Sequence, residues 1–359
     1  MSDQVEEFRS RILERKPLRL RGGGSKDFYG GPLQGEVLDT RGHSGIIGYE
    51  PTELVITARA GTPLVEIESA LAARRQVMAC EPPHFGAATV GGTIVGGATV
   101  GGAVAAGLSG PRRASAGSLR DFVLGVKLMD GEGRELNFGG QVMKNVAGFD
   151  VSRLITGSLG TLGLILEVSL KVLPLPVAEA TLRFELPQDH ALDAMNRWAG
   201  QPVPLAATCW QGDVLTLRLC GAQAAITAAC KTLGGERIAE PEAAAFWAAL
   251  REQTNAFFVG DAPLWRLSLP SVTPPLDLPA PQLIEWGGAQ RWLRGAVDVA
   301  SLREMAANAG GHATLFRGGE KTGGVFAPLS PGLMEVHRRL KQSFDPYGVF
   351  NPSRLYPEL

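Results

Sequence analysis

The sequence predicts an α+β fold in successive parts, and three features of the chain predict it. Residues 1–175 read as short strands broken by glycine turns, and they hold 29 of the 46 glycines. After Pro176 glycine thins to 15 across residues 176–325, and helical periods begin to alternate with strands. Just before that change, Leu164, Leu166, Val168, Leu170 and Val172 take every second position, the pattern of a half-buried strand. The expected division is residues 1–175, residues 176–325 and a C-terminal segment, 326–359. That segment is too short to be a domain and has to pack on one of the others.

Each element has a local reason. Ser2 to Lys16 is a charged amphipathic helix with Val5, Phe8, Ile12 and Leu13 on one face. Leu18–Leu20 is a strand running into Arg21-Gly22-Gly23-Gly24-Ser25-Lys26, and Leu54–Ala58 is a second. Thr62 and Pro63 supply an N-cap and a first-turn proline to a helix facing inward with Leu64, Ile67 and Leu71. Phe122–Met129 and Arg134–Phe138 flank Asp130-Gly131-Glu132-Gly133 as a hairpin. Beyond Pro176, Thr181–Leu186 and Val214–Leu219 are strands, while Leu192–Ala199, Ala224–Leu233 and Ala243–Gln253 are helices. Gly234-Gly235 stops one of them. Five prolines between Pro270 and Pro281 mark a loop, and Asp298–Asn308 is a further helix. The second part therefore reads as an antiparallel sheet with helices on one face. A basic helix, Met334–Phe344, leads into the C-terminal turn.

Composition removes several classes of function. Lys plus Arg number 35 against 36 Asp plus Glu, a net charge of −1, so there is no basic surplus for a nucleic acid. A small anionic ligand needs only one or two local cations and stays open. Cys80, Cys209, Cys220 and Cys230 form no C-x-x-C pair, and no Cys/His cluster has metal-ligand spacing. With no secretory leader in view they read as reduced thiols of a cytoplasmic protein. Phe85 to Ser109 carries no charge, but Gly, Ala, Thr and Val dominate it, a poor composition for a spanning helix. It reads as a tightly packed loop region.

Four segments carry the chemistry. Arg21 to Lys26 follows a strand, and its three glycines let backbone N–H groups converge on an anion. No G-x-G-x-x-G opens a helix there, and no Walker A loop occurs. The second is the run from Gly86 to Gly110, in which Ala88-Thr89-Val90-Gly91-Gly92 recurs as Ala98-Thr99-Val100-Gly101-Gly102. The third is Gly157-Ser158-Leu159-Gly160-Thr161-Leu162-Gly163, preceded by Lys144 to Asp150 and followed by Leu164. The fourth is Asp345-Pro346 through Asn351-Pro352-Ser353-Arg354.

In this order the four segments resemble the vanillyl-alcohol-oxidase, or PCMH-type, FAD-binding family. That resemblance implies a two-part PCMH-type FAD-binding domain followed by a smaller antiparallel α+β cap domain. It places FAD against Arg21, Gly22, Gly23, Gly24, Ser25 and Lys26, then Pro82 and a T-x-G-G loop. The loop is Thr89, Val90, Gly91 and Gly92, or Thr99, Gly101 and Gly102, and the sequence leaves both open. Gly157, Gly160, Gly163 and Leu164 follow, and Asn351 closes the site. Phrases such as Glu81-Pro82-Pro83-His84, Glu285-Trp286-Gly287-Gly288-Ala289 and Phe350-Asn351-Pro352-Ser353-Arg354 are also similar to the E-subunit family of bacterial glycolate oxidases. That similarity implies an FAD subunit acting on a small 2-hydroxyacid, glycolate, and partnered by a larger FAD subunit and an iron–sulfur subunit. Electrons would pass towards the membrane, with the chain held at its cytoplasmic face through its partners. Ser25 and Lys26 stand where a covalently attached relative carries histidine, so the FAD is expected to be non-covalent.

Catalytic residues are weakly marked. His84 lies beside two prolines in the flavin loop, His312 opens a strand after a helix stop, and Arg113 follows Gly110-Pro111-Arg112. These three are the candidates. His43 reads as a surface or hinge residue in a polar turn, and His190 and His337 as solvated positions on helices. No strong pair of base and carboxylate clamp stands out. An accessory or electron-relay subunit, whose partner carries the hydroxyacid site, is therefore the alternative to a glycolate-oxidising one.

Overall fold

The computed structural model describes residues 3–86, 88–90, 93–95, 97–140, 150–278 and 280–359. Gly91 and Gly92, and the Lys144–Phe149 stretch, lie outside the described residues. The chain divides into two compact units. One comprises Met1–Leu108, Ser118–Pro174 and Pro328–Leu359, and the other Ser109–Gly117 and Leu175–Ala327.

The first unit opens with α1 (Asp3–Leu13), whose Val5, Phe8 and Ile12 are buried at helical spacing. Leu13, expected on the same face, is 52% exposed. The strand β1 (Leu18–Arg21) pairs in parallel with β2 (Glu36–Asp39). Then come β3 (Ile46–Glu50), β4 (Val55–Arg59) and α2 (Leu64–Ala72), with Leu64, Ile67 and Leu71 buried as expected. Thr62 does not cap α2 with its side chain. Its hydroxyl donates instead to Arg59 O at 2.7 Å and accepts from Gly45 N at 2.9 Å, tying two loops together. After β5 (Gln76–Val77), β6 (Ala88–Val90) and β7 (Thr93–Val95) form a hairpin. The helix α3 (Val100–Ala106) comes next, and α4 (Arg113–Ala116) lies in the short excursion that belongs to the second unit. The chain returns through α5 (Leu119–Phe122), β8 (Val123–Met129), β9 (Glu135–Gly139), α6 (Val151–Ile155), β10 (Leu164–Lys171) and β11 (Leu173–Pro174). An antiparallel sheet runs in the order β3-β4-β10-β8-β9.

The alternation in β10 predicted one wet face. On that face Glu167 and Lys171 are half-buried, while Ser169 is buried with its hydroxyl 2.8 Å from that of Thr57 on β4. The buried hydroxyl is satisfied by a protein partner rather than by water.

The second unit contains β12 (Ala178–Glu185), α7 (Gln188–Ala199), β13 (Leu205–Gln211), β14 (Val214–Gly221), α8 (Gln223–Leu233), β15 (Glu236–Ile238) and α9 (Glu240–Arg251). It continues with β16 (Leu264–Ser268), β17 (Gln282–Glu285), β18 (Gln290–Arg294), α10 (Val299–Asn308) and β19 (His312–Arg317). Its eight strands form one antiparallel sheet in the order β15-β12-β14-β13-β17-β18-β16-β19. Three core clusters join α7, α8 and α10 to the side bearing Leu182, Leu217 and Leu293. The expectation of helices on one face fails at α9. Its Trp247 Nε1 donates to Thr181 Oγ1 at 2.9 Å, and Thr181 points opposite to Ala180 and Leu182. The last helix, α11 (Pro331–Phe344), belongs to the first unit.

Candidate functional site

A cleft opens within the first unit. Four parts of the sequence build it. The loop after β1 supplies Arg21 to Asp27, the start of α3 supplies Thr99, Gly101 and Gly102, and Gly160, Gly163 and Leu164 lead into β10. Asn351 and Arg354 come from the C-terminal segment.

The first wall is held close to the second. A Cβ on Gly22 would overlap Thr99 Oγ1, so this position accepts only glycine while Thr99 stands opposite. Thr99 is the N-cap of α3, and its Oγ1 accepts from Gly102 N at 3.2 Å. Gly101 N donates to Ala60 O and Val100 N to Thr62 O, both at 2.9 Å. The first amides of α3 are thus engaged by the protein itself. The amides of Gly22, Gly23, Gly24 and Ser25 are different: none has a hydrogen-bond partner among the described residues.

The third wall is fixed from the C-terminus. Leu20 N donates to Asn351 Oδ1 at 2.8 Å, and Asn351 Nδ2 donates to Leu159 O at 2.6 Å. Asn351 therefore lines the cleft while its amide braces β1 against the loop of Gly160. Behind it Lys341, buried on α11, donates to Thr161 O and Asp345 Oδ2 at 2.7 Å and to Phe350 O at 2.9 Å. Burial lowers the Lys341 pKa, and the Asp345 carboxylate opposes that shift. Asp345 in turn accepts from Val349 N and Phe350 N. Arg354 is buried and donates to the carbonyls of Gly31, Tyr29 and Asp27, shaping the loop beyond Lys26.

Charge is unevenly spread here. Asp27 pairs with both Arg19 and Arg21, the latter at 3.4 Å. Lys26 Nζ sits 5.6 Å from the centre of the Phe85 ring, and Phe85 meets Phe28 edge to face. Four open amides, a local excess of cations, and apolar walls from Leu20, Leu33, Leu159 and Ile165 suit a ligand with an anionic link and an apolar ring. A flavin dinucleotide has both, so the residues present fit FAD.

Other expected positions lie elsewhere. Among the described residues, the cleft lining does not include Pro82, His84 or Gly157. Pro82 is buried, and His84 Nε2 lies 3.1 Å from Glu68 Oε1 on α2. Gly157 N donates to Val104 O on α3. Thr89 and Val90 belong to β6 of the hairpin, whereas the second T-x-G-G copy reaches the cleft with Thr99, Gly101 and Gly102. His312 is exposed at the start of β19 in the second unit. Arg113 also belongs to that unit, with its guanidinium 4.5 Å from the centre of the Trp286 ring. His43, expected at the surface, is buried. Lys341 and Asp27 were not among the expected positions, and Arg354 was marked only as the end of the C-terminal segment, although Lys341 at i−4 from Asp345 on a helix was a visible signal.

Comparison with known proteins agrees with this architecture. Residues 12–99 match the FAD binding domain family model. Solved structures of similar fold include p-cresol methylhydroxylase with substrate bound, at a TM-score of 0.68 and 13% identity, covering 98% of this chain and 87% of that one. Alkyldihydroxyacetonephosphate synthase aligns with a TM-score of 0.67 at 14% identity, covering 98% and 75%. Among curated relatives, glycolate oxidase subunit GlcD of Bacillus subtilis (strain 168) is 29% identical over 181 residues, 48% of this chain and 36% of its own length. Glycolate oxidase subunit GlcE of Escherichia coli (strain K12) is 49% identical over 356 residues, 99% of this chain and 97% of that protein. The chain thus carries a PCMH-type FAD-binding domain and belongs to the glycolate oxidase subunit GlcE family.

Proposed function

We propose that this chain is the FAD-binding subunit of a glycolate oxidase complex, taking part in the oxidation of glycolate to glyoxylate and passing electrons to a partner subunit. The observation that carries this reading is the row of open amides from Gly22 to Ser25 beside Arg21 and Lys26. It accompanies near full-length similarity to a glycolate oxidase subunit. In this reading the loop and its cations hold the FAD diphosphate. Thr99, Gly101, Gly102, Gly160, Gly163, Leu164 and Asn351 line the rest, and Pro82, Thr89, Val90, Gly91, Gly92 and Gly157 support or extend the site. The cofactor is non-covalent, because Ser25 and Lys26 offer no histidine for attachment. When bound, FAD supplies the hydride acceptor for a 2-hydroxyacid. The first unit holds that cofactor, and residues 176–325 form the cap, or substrate, domain. Partners are a larger FAD subunit and an iron–sulfur subunit, through which the chain works at the cytoplasmic face of a membrane. Among the described residues no helix is long and apolar enough to cross one.

The second reading, an accessory or electron-relay flavin subunit, has specific support. Two groups of the first unit that could accept the hydroxyl proton are already engaged: Asp27 by Arg19 and Arg21, and His84 by Glu68. Anaerobic addition of glycolate separates the two. Bleaching of the flavin in the isolated chain is the expected result of the first reading. Bleaching only within the assembled complex supports the second, and a purified chain that takes up no flavin overturns both.

A further inference from the structure

We infer that Arg354 is a direct charge partner of the FAD diphosphate, beyond its hold on the loop carbonyls. This rests on the reading of the cleft as the FAD site. Arg354 belongs to the C-terminal Asn351-Pro352-Ser353-Arg354 segment, more than three hundred residues from the Gly31 carbonyl it holds.

The argument begins with an unbalanced charge. Arg354 is one of the residues lining the cleft and is buried, at 5% exposure. Its two terminal nitrogens donate to the carbonyls of Gly31, Tyr29 and Asp27, while Nε makes no hydrogen bond among the described residues. Carbonyl oxygens satisfy donors but leave the net charge in place. A buried cation is costly unless an anion compensates it. No carboxylate forms an ion pair with Arg354 among the described residues, and Asp27 is already shared by Arg19 and Arg21. Burial pulls the Arg354 pKa down to about 10, with the Asp27 carboxylate opposing that shift and the Arg19 cation adding to it. Among the described residues, Arg19, Arg21 and Arg354 thus share one acid, Asp27.

A compensating anion has to enter from the cleft. The same cleft is lined by Gly22 to Ser25, whose amides are open among the described residues. A diphosphate has charge for the guanidinium and oxygens for the amides, whereas a neutral flavin ring answers neither. The consequence is a ligand-specific one. Removing the charge should weaken ligands that carry a diphosphate and spare those that do not.

The test uses the full chain, stripped of flavin, titrated with FAD, ADP and riboflavin. R354Q is expected to weaken FAD and ADP roughly ten- to a hundredfold and to leave riboflavin within about threefold of wild type. R354K keeps the charge but cannot span three carbonyls, so FAD affinity should largely survive it. A purely structural clamp predicts the reverse: R354K and R354Q fail alike, and riboflavin falls with FAD. That pattern, or R354Q binding FAD like wild type, overturns the inference alone. If R354Q does not fold, R354K and the salt dependence of wild-type binding decide. FAD affinity should drop with added salt while riboflavin affinity holds, and equal salt response of the two overturns the inference. A wild-type chain that takes up no FAD overturns the reading of the cleft together with it.

Discussion

His43 shows how one residue's chemistry is set by parts of the chain far from it. Its neighbours Arg41, Gly42 and Ser44 announce a polar surface turn, yet the imidazole is 6% exposed. It lies edge-on to Phe8 of α1, with ring centres 6.1 Å apart. Burial, followed by the Arg59 cation, holds its pKa below the ordinary value of 6.5, and its Nε2 has no hydrogen-bond partner among the described residues. Between the lowered pKa and 6.5 the unfolded chain binds more protons than the folded one. The stability contributed by a neutral His43 is therefore full above pH 6.5 and is lost as pH falls through the folded-state pKa. Urea unfolding at about pH 7.5 and about pH 5 should show this loss in wild type and a smaller one in His43→Gln. An equal acid loss in both proteins would assign the effect to other groups. No local pattern could have revealed this residue, because α1 covers it from the other end of a long separation.

At the scale of elements, the duplicated Ala-Thr-Val-Gly-Gly shows what a short motif leaves undecided. Ala88–Val90 of the first copy form strand β6, and the second copy becomes the cap and first turn of α3. The five residues are the same, so the difference comes from the residues downstream of each copy. Thr93-Ile94-Val95 is β-branched throughout and continues as a strand, whereas Ala103-Val104-Ala105-Ala106 favours a helix. The sequence could place a glycine-rich cofactor segment but could not choose between copies, since the choice depends on a turn of α3 meeting Gly22. That meeting makes a double-mutant cycle possible. Gly22→Ala alone puts a methyl onto Thr99 Oγ1 and is expected to lower FAD retention at least about tenfold. Thr99→Ala alone removes the cap of Gly102 N, costing about 1 kcal/mol in urea unfolding. With both substitutions, loss of the Thr99 hydroxyl leaves room for the new methyl, so the double variant should retain more FAD than Gly22→Ala alone. Strict additivity in flavin retention would mean that the two residues do not meet. Elements such as α2, with its Leu64, Ile67 and Leu71 stripe, were legible because their reason for forming is local. Strand β13 was not: Ala206, Ala207, Thr208, Cys209 and Trp210 are buried in succession, so no alternation marks it. A strand covered on both faces carries no period of its own.

At the scale of the molecule, the first unit is discontinuous and the second is contained within it in sequence. Its core cluster joins Val5, Phe8 and Ile12 of α1 and Leu18 of β1 to Val349 and Phe350 near the far end of the chain. Leu18 N donates to Val349 O at 2.7 Å, and Leu18 also bridges to Phe350. Every described segment of the second unit, by contrast, lies between residues 109 and 327. Ending the chain at Ala327 therefore removes Lys341, Asn351 and Arg354 from the first unit along with the fully buried side chains of Val349 and Phe350. Each large core deletion costs on the order of 2–5 kcal/mol, and a domain's whole stability is about 5–15 kcal/mol. Residues 1–327 should consequently lose amide-exchange protection in β1, β2 and the loop around Gly160. Protection in β12 to β19 should persist, because their pairing needs nothing beyond residue 327. Adding a separate peptide of residues 328–359 is expected to restore protection in β1 and FAD uptake together, since the brace of Asn351 on Leu20 and Leu159 serves both. Restored protection without FAD uptake would separate folding from binding. Full protection in β1 without the peptide would show that the first unit closes on its N-terminal segments alone.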